Sequence, residues 1–205
     1  MRRLFQPPDD LSDLDRVRKH LDIPKTSNNP AAKHPLRRYE FALAFSGYMA
    51  KLERALSQSL SKPVSTAPRI ARRLDQRHPD WARSAVWEVT ARGLASADNF
   101  RGKDILGKFE LAVSLARYVR LLTPILNTIV KNPYPPNPKE AIKTVPTKPG
   151  HYAHNDVLFL ANGGWLTPDS AILATADLRA EGFADCIAHA ASRFFVRYIH
   201  EPNRD

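Results

Sequence analysis

The segment from Lys103 to Val130 carries apolar residues on nearly every side of a helix, and this feature constrains the fold most. A helix with so narrow a polar stripe is normally surrounded by other helices, so we expect this segment to lie at the centre of the molecule. Pro124 should bend the helix before it resumes through Val130. The apolar positions are Ile105, Leu106, Phe109, Leu111, Val113, Leu115, Val119, Leu121 and Leu122.

A second long helix is predicted from Leu36 to Ser61, because apolar residues recur there at steps of three and four. A shorter helix, capped by Asp9 or Asp10 and ending near Leu21, should dock on the same core. No convincing strand-like alternation occurs, so the predicted fold is an all-α helical bundle. The stripe of the long helix consists of Phe41, Phe45, Met49, Leu52, Leu56 and Leu60.

Residues 68–95 predict two helices separated at Pro79. Ile70 and Leu74 lie one turn apart on the first helix, and Pro79 suits the start of a new one. The second helix carries the stripe Ala82, Val86, Val89 and Gly93. This order resembles the core pattern of bacterial winged-helix and helix-turn-helix regulators, with about one extra residue in the turn. The resemblance covers 28 of 205 residues and implies a DNA-binding hairpin.

Arginines are concentrated in this hairpin, and arginine suits planar contacts to phosphate or guanine. The alternative interpretation is an ordinary helical hairpin whose arginines are solvated. Arg37 and Arg38, which lie off the stripe of the preceding helix, add to the candidate set. The candidate nucleic-acid-binding residues are therefore Arg37, Arg38, Arg69, Arg72, Arg73, Arg77, Arg83 and Arg92.

The outward face of the second hairpin helix is poorly suited to reading base edges, since it presents Ser84, Trp87, Glu88 and Ala91. Trp87 fits a protein contact or a base-stacking platform better. We therefore predict Trp87 as a partner contact, with the competing possibility that it is buried in the core.

Charge is distributed unevenly along the chain. The net charge is +10, but residues 1–150 contain 27 Lys and Arg against 14 Asp and Glu, whereas residues 151–205 contain 4 against 7. A basic body of net charge +13 followed by an end of −3 predicts a polyanionic partner for the first part of the chain. Nucleic acid is the favoured polyanion, and acidic proteins or solubility alone are the alternatives.

A proline-rich stretch divides the predicted domains. Residues 133–149 contain six prolines, which favours an extended linker over a long ordered loop that tracks phosphates. We therefore predict a basic helical core at 1–132, a linker at 133–149 and a C-terminal helical module at 150–205. Within the module we expect a helix from Thr167 to Gly182 and a final helix ending before Pro202.

The search for catalytic chemistry is mostly negative, and we predict no enzyme activity, no catalytic residue and no cofactor. The sequence contains neither a Walker phosphate loop nor a serine in a nucleophile elbow. The single cysteine, Cys186, excludes an internal disulfide and favours a reducing compartment. His151, His154 and Asp156, with Cys186 and His189, are metal-competent types, but we predict no metal site because no ligand pair lies on one helix face.

The sequence as a whole predicts a non-enzymatic nucleic-acid-binding protein of the cytoplasm, without a membrane span. It would be either a helix-turn-helix regulator or a small helical subunit of a nucleoprotein complex, with a protein partner or a second copy of itself. DNA and RNA remain equal alternatives. The competing hypotheses are a protein-interaction adaptor and, behind it, a metal-dependent hydrolase.

Overall fold

The computed structural model describes residues 34–68, 70, 73–133, 142 and 144–199. Within these ranges the chain forms five helices and no strand, which confirms the all-α prediction. The helix predicted near Leu21 lies outside the described residues, as do Arg69 and Arg72. The helices are α1 (Arg38–Leu60), α2 (Asp80–Ala91), α3 (Lys108–Ile129), α4 (His154–Asn162) and α5 (Ala180–Tyr198).

Helix α1 matches the predicted helix to within two residues at its start and one at its end. It begins where the backbone N–H of Arg37 donates to the Glu40 carboxylate over 2.8 Å, which satisfies one amide that the first turn leaves open. It ends at Ser61, whose φ of 51° is left-handed. Its buried stripe includes Phe41, Phe45 and Met49.

Helix α3 is the central element that the sequence predicts, although it starts at Lys108 and not at Lys103. Residues 104–106 instead bind the extended segment before α1: the Leu106 N–H donates to the Leu36 carbonyl over 2.8 Å, and the Arg38 N–H to the Asp104 carbonyl over 3.0 Å. The helix continues through Pro124 to Ile129.

The helix-turn-helix-like hairpin is not confirmed: of its two predicted helices, the described residues contain only the second, α2. The described residues from 61 to 79 contain no helix, and the side chains of Ile70 and Leu74 are 62% and 40% exposed. Without a buried stripe a short helix is marginal in water. Locally, the Asp75 carboxylate accepts the Arg77 N–H over 2.9 Å, and such a turn competes with helix formation.

Irregular turns occupy the region of the helix predicted from Thr167 to Gly182, so that prediction is wrong. Ser170 accepts the Ile172 N–H on its hydroxyl, which again favours a turn. Gly182 does not end a helix but lies in the first turn of α5. A Cβ there would come within 2.5 Å of the Ala171 Cβ, so glycine permits the close approach of the turn to α5.

One hydrophobic cluster includes residues of both the basic part and the C-terminal part of the chain. Phe183 of α5 meets Phe41 of α1 edge-on at 6.0 Å between ring centroids, and Phe194 lies 6.4 Å from Tyr118 of α3. Residues 144–149, at the end of the proline-rich stretch, are irregular. Within them Thr147 is buried and hydrogen-bonded to His154 of α4 at 3.1 Å.

Candidate nucleic-acid interface

An exposed tryptophan, Trp81, lies in the first turn of α2 and belongs to an aromatic cluster. Its side chain is 58% exposed, and its indole meets the ring of Tyr39 edge-on at 5.5 Å between centroids. Tyr39 also hydrogen-bonds the Nδ1 of His78 at 3.1 Å and lies 5.9 Å from Phe100. The aromatic cluster (Tyr39, His78, Trp81 and Phe100) therefore joins α1, the turn before α2 and the loop after it.

Gly102 lets the loop after α2 pack directly on this cluster. A Cβ at position 102 would lie 2.0 Å from the Cε1 of Tyr39, inside the ring's van der Waals surface. The Tyr39 N–H donates to the Gly102 carbonyl over 2.9 Å. The loop therefore holds Tyr39 in place, and Tyr39 in turn supports the indole of Trp81.

Two neighbouring cavities lie beside the cluster and share His78 and Ala97. The first, of about 340 Å³, is lined by Tyr39 and Phe100 and by the charged residues Arg77, Arg101, Lys103, Asp98 and Asp104. The second, of about 380 Å³, is lined by Trp87 and Ile70 and by the charged residues Arg73, Arg83 and Asp75. We call these cavities with Trp81 the two-cavity surface. The linings of the two cavities together contain five cationic and three anionic side chains.

The structure places two of the predicted arginines, Arg73 and Arg77, at exposed positions on this surface. Arg77 has a side chain that is 75% exposed while its guanidinium binds both carboxylate oxygens of Asp75. These hydrogen bonds lower the pKa of Asp75 to about 2, so Asp75 stays ionised and offsets part of the charge of Arg77.

Three other predicted arginines are held by the protein itself. Arg83 donates to the His78 carbonyl over 2.8 Å and pairs with Asp80. Arg92 has a side chain only 8% exposed, paired with Glu88 and bonded to the Thr66 hydroxyl. Arg38 pairs with Glu110 at 2.6 Å and with Asp104 at 3.5 Å. These pairings join helices and loops of the protein, and nucleic-acid binding by the three arginines stays a prediction.

Arg37 is exposed and donates to the Lys103 carbonyl over 2.6 Å, which brings it next to the loop after α2. Trp87 is half-buried and lines the second cavity. Its exposure lies between the open and the fully buried alternatives, and its role as a partner contact stays a prediction.

Sequence reasoning missed Trp81, Tyr39, Arg101 and Lys103 as parts of one surface. A signal was present: Trp81 lies off the Ala82, Val86 and Val89 stripe of its helix, and Gly102 stands between the two cations. What the pattern could not supply was the contact between the loop after α2 and Tyr39, which are separated by more than sixty residues.

The metal-competent residues are engaged separately. The His151 ring packs on Phe109 at 4.8 Å, His154 bonds Thr147, and Asp156 pairs with Arg120. In the described parts of the chain no group of three His, Cys, Asp or Glu side chains could hold a metal ion.

Cys186 and His189 are buried on α5. Cys186 is hydrogen-bonded to Ser170 at 3.3 Å, and burial raises the pKa of its thiol, which disfavours the nucleophilic thiolate. The Nε2 of His189 is hydrogen-bonded to the Gly164 carbonyl at 3.2 Å.

Among the described helices none combines the length and apolarity that crossing a membrane requires. Comparison of the sequence with protein-family models and with curated proteins gives no match.

Proposed function

We propose that the protein is a non-enzymatic nucleic-acid-binding protein and that it binds through the two-cavity surface. The observation that carries the proposal is the exposed indole of Trp81, which Tyr39 supports edge-on beside the cavity lined by Arg101 and Lys103. Aromatic platforms combined with cationic grooves are the usual equipment for binding nucleic acids through bases and phosphates. The balance of +13 in residues 1–150 adds long-range attraction for such a polyanion.

Of the two versions of this function, a small helical subunit of a nucleoprotein complex is better supported than a helix-turn-helix regulator. A regulator of that kind needs a first helix to set its recognition helix against the DNA backbone. The described residues between α1 and α2 form no helix, and Arg83 and Arg92 of the α2 region are engaged within the protein.

A protein-interaction adaptor is the second candidate, and the apolar exposure around the surface favours it. Ile70 and Leu74 are exposed close to the second cavity, and exposed apolar side chains of this kind can mark a protein contact. An adaptor that binds mainly through Ile70 and Leu74 would hold its partner with less dependence on salt than nucleic-acid binding shows, because salt does not screen apolar contacts.

Fluorescence anisotropy with labelled oligonucleotides at several salt concentrations tests the proposal. We expect log affinity to fall linearly with log salt, with a slope of roughly −0.7 to −0.9 per phosphate neutralised. Arg73→Ala and Lys103→Ala should each reduce that slope by about one phosphate contact.

Arg179→Ala is the matched control, since Arg179 is an exposed arginine in the acidic part of the chain. It should leave the slope unchanged. If neither DNA nor RNA binds at low salt, the proposal is wrong and the adaptor becomes the better hypothesis.

A further inference from the structure

We infer that the two-cavity surface binds single-stranded nucleic acid and that the indole of Trp81 stacks on one of its bases. This inference rests on the proposed nucleic-acid binding and specifies the form of the ligand. The chemistry it requires is an unstacked base next to a phosphate backbone, which single-stranded DNA and single-stranded RNA both offer.

The helix that a duplex reader would place in the major groove is not equipped for that role. The buried side of α2 packs its Ala82, Val86 and Val89 into the core. Its Arg83 is turned back to the His78 carbonyl and to Asp80. Sequence readout in the groove depends on side chains that reach base edges, and Arg83 does not have that freedom.

Trp81 is suited to stacking because its support is already ordered in the free protein. Tyr39 holds the indole edge-on at 5.5 Å and is itself fixed by His78 and by the loop at Gly102. A base that stacks on this indole therefore does not have to order the platform at the same time. In a duplex both faces of each base are already stacked on neighbours, so the platform has no partner there.

The two cavities beside the Trp81 indole form a groove in which the backbone of a single-stranded nucleic acid could lie. They adjoin each other at His78 and Ala97, with Arg101 and Lys103 on one side and Arg73 on the other. Cations that follow a groove beside aromatic rings are the arrangement that tracks a single-stranded backbone. Three carboxylates, of Asp75, Asp98 and Asp104, also line the cavities, so we expect modest affinity with strong dependence on stacking.

The test compares the protein and its variants on labelled homopolymers about 12 nucleotides long, within the roughly 4–16 nucleotides that an OB-fold domain binding single strands covers. The probes are single-stranded DNA, single-stranded RNA and a duplex of the same length. Trp81→Ala should weaken single-strand binding by about 5- to 150-fold, the range that loss of one stacked base produces. Trp81→Phe keeps a ring and should retain most of the affinity.

Leu121→Ala, which removes a partly exposed apolar side chain on α3, is the control and should leave binding unchanged. Tryptophan emission of the wild-type protein should be quenched by the single strand, and most of that quenching should be lost in Trp81→Phe. The same measurements separate DNA from RNA by their relative affinities.

Equal binding of duplex and single strand, with no effect of Trp81→Ala, would overturn the inference while leaving nucleic-acid binding intact. Absence of binding to all three probes would overturn both.

Discussion

The hydroxyl of Tyr118 on α3 donates to the carboxylate of Glu53 on α1 over 3.3 Å, and both side chains are buried. The same carboxylate accepts the hydroxyl of Thr66 over 2.5 Å, and that hydroxyl accepts from Arg92 over 3.1 Å. This chain of hydrogen bonds joins α1, α3, the segment after α1 and the end of α2. A buried polar network of this kind contributes most when every member is satisfied.

Tyr118→Phe is expected to destabilise the protein by roughly 1–2 kcal/mol, because it removes a hydrogen bond to a buried charged group without creating a cavity. Burial raises the pKa of Tyr118, so its hydroxyl is a donor throughout the neutral range. Urea unfolding followed by circular dichroism measures the change. Tyr152→Phe, at an exposed position, is the control. Equal stability of wild type and Tyr118→Phe would show that the network contributes nothing through this member.

Arg92→Ala and Arg73→Ala should separate an arginine engaged within the protein from one that we propose binds nucleic acid. Loss of Arg92 leaves the Glu88 carboxylate without its partner, and the cost should be roughly 2 kcal/mol, less than for a fully buried pair since Glu88 is partly exposed. Arg73→Ala should change stability by less than about 0.5 kcal/mol and should weaken oligonucleotide binding. Thermal melting and anisotropy on both variants check this, and the reverse pattern would contradict it.

Gly102→Ala is expected to destabilise the protein by roughly 1–3 kcal/mol, because the new Cβ meets the Tyr39 ring and forces it to move. Because the displaced Tyr39 ring contacts the Trp81 indole, the wavelength of maximum tryptophan emission should also change. Gly47→Ala is the matched control, since nothing lies within 4 Å of its added Cβ in the interior of α1. That substitution should instead stabilise the protein by about 0.5–1 kcal/mol through helix propensity. Destabilisation of equal size in both variants would argue against the close Tyr39 contact.

The pH dependence of stability should report on His189. Burial lowers the pKa of His189 below the ordinary histidine value of about 6.5, and the nearby Arg193 charge adds to this, against the opposing hydrogen bond to the Gly164 carbonyl. The unfolded chain therefore takes up this proton first as pH falls, so stability is present above about pH 6.5 and decreases below it. Melting temperatures between about pH 7.5 and about pH 5 should fall less in His189→Gln than in the wild type. A parallel fall in both proteins would assign the dependence to other groups.

The two long helices could be predicted from the sequence because their burial is periodic. Phe41, Phe45 and Met49 repeat with the helical period and all face the core, and the same holds for Leu111, Leu115 and Leu122 of α3. In such segments the local pattern and the tertiary environment agree, so a pattern alone identifies the element.

The region before α2 could not be predicted in the same way. Ile70 and Leu74 have helical spacing, but their side chains are 62% and 40% exposed, and the Asp75 side chain stabilises a turn instead. The candidate site was missed for a related reason. The site depends on the contact between the Gly102 loop and Tyr39. That contact forms only in the folded protein, and no periodic pattern in the sequence indicates it.

The contact between Phe183 and Phe41 links the last helix described to the first. During synthesis on the ribosome, α1 and α3 therefore emerge long before the segment that covers them. A nascent chain that has reached only residue 132 exposes the apolar side chains that α5 would cover. Chaperones bind such exposed apolar surface, and without them the chain aggregates. The basic part of the sequence should thus be insoluble when it is expressed alone. It should become soluble when residues 150–199 are expressed with it.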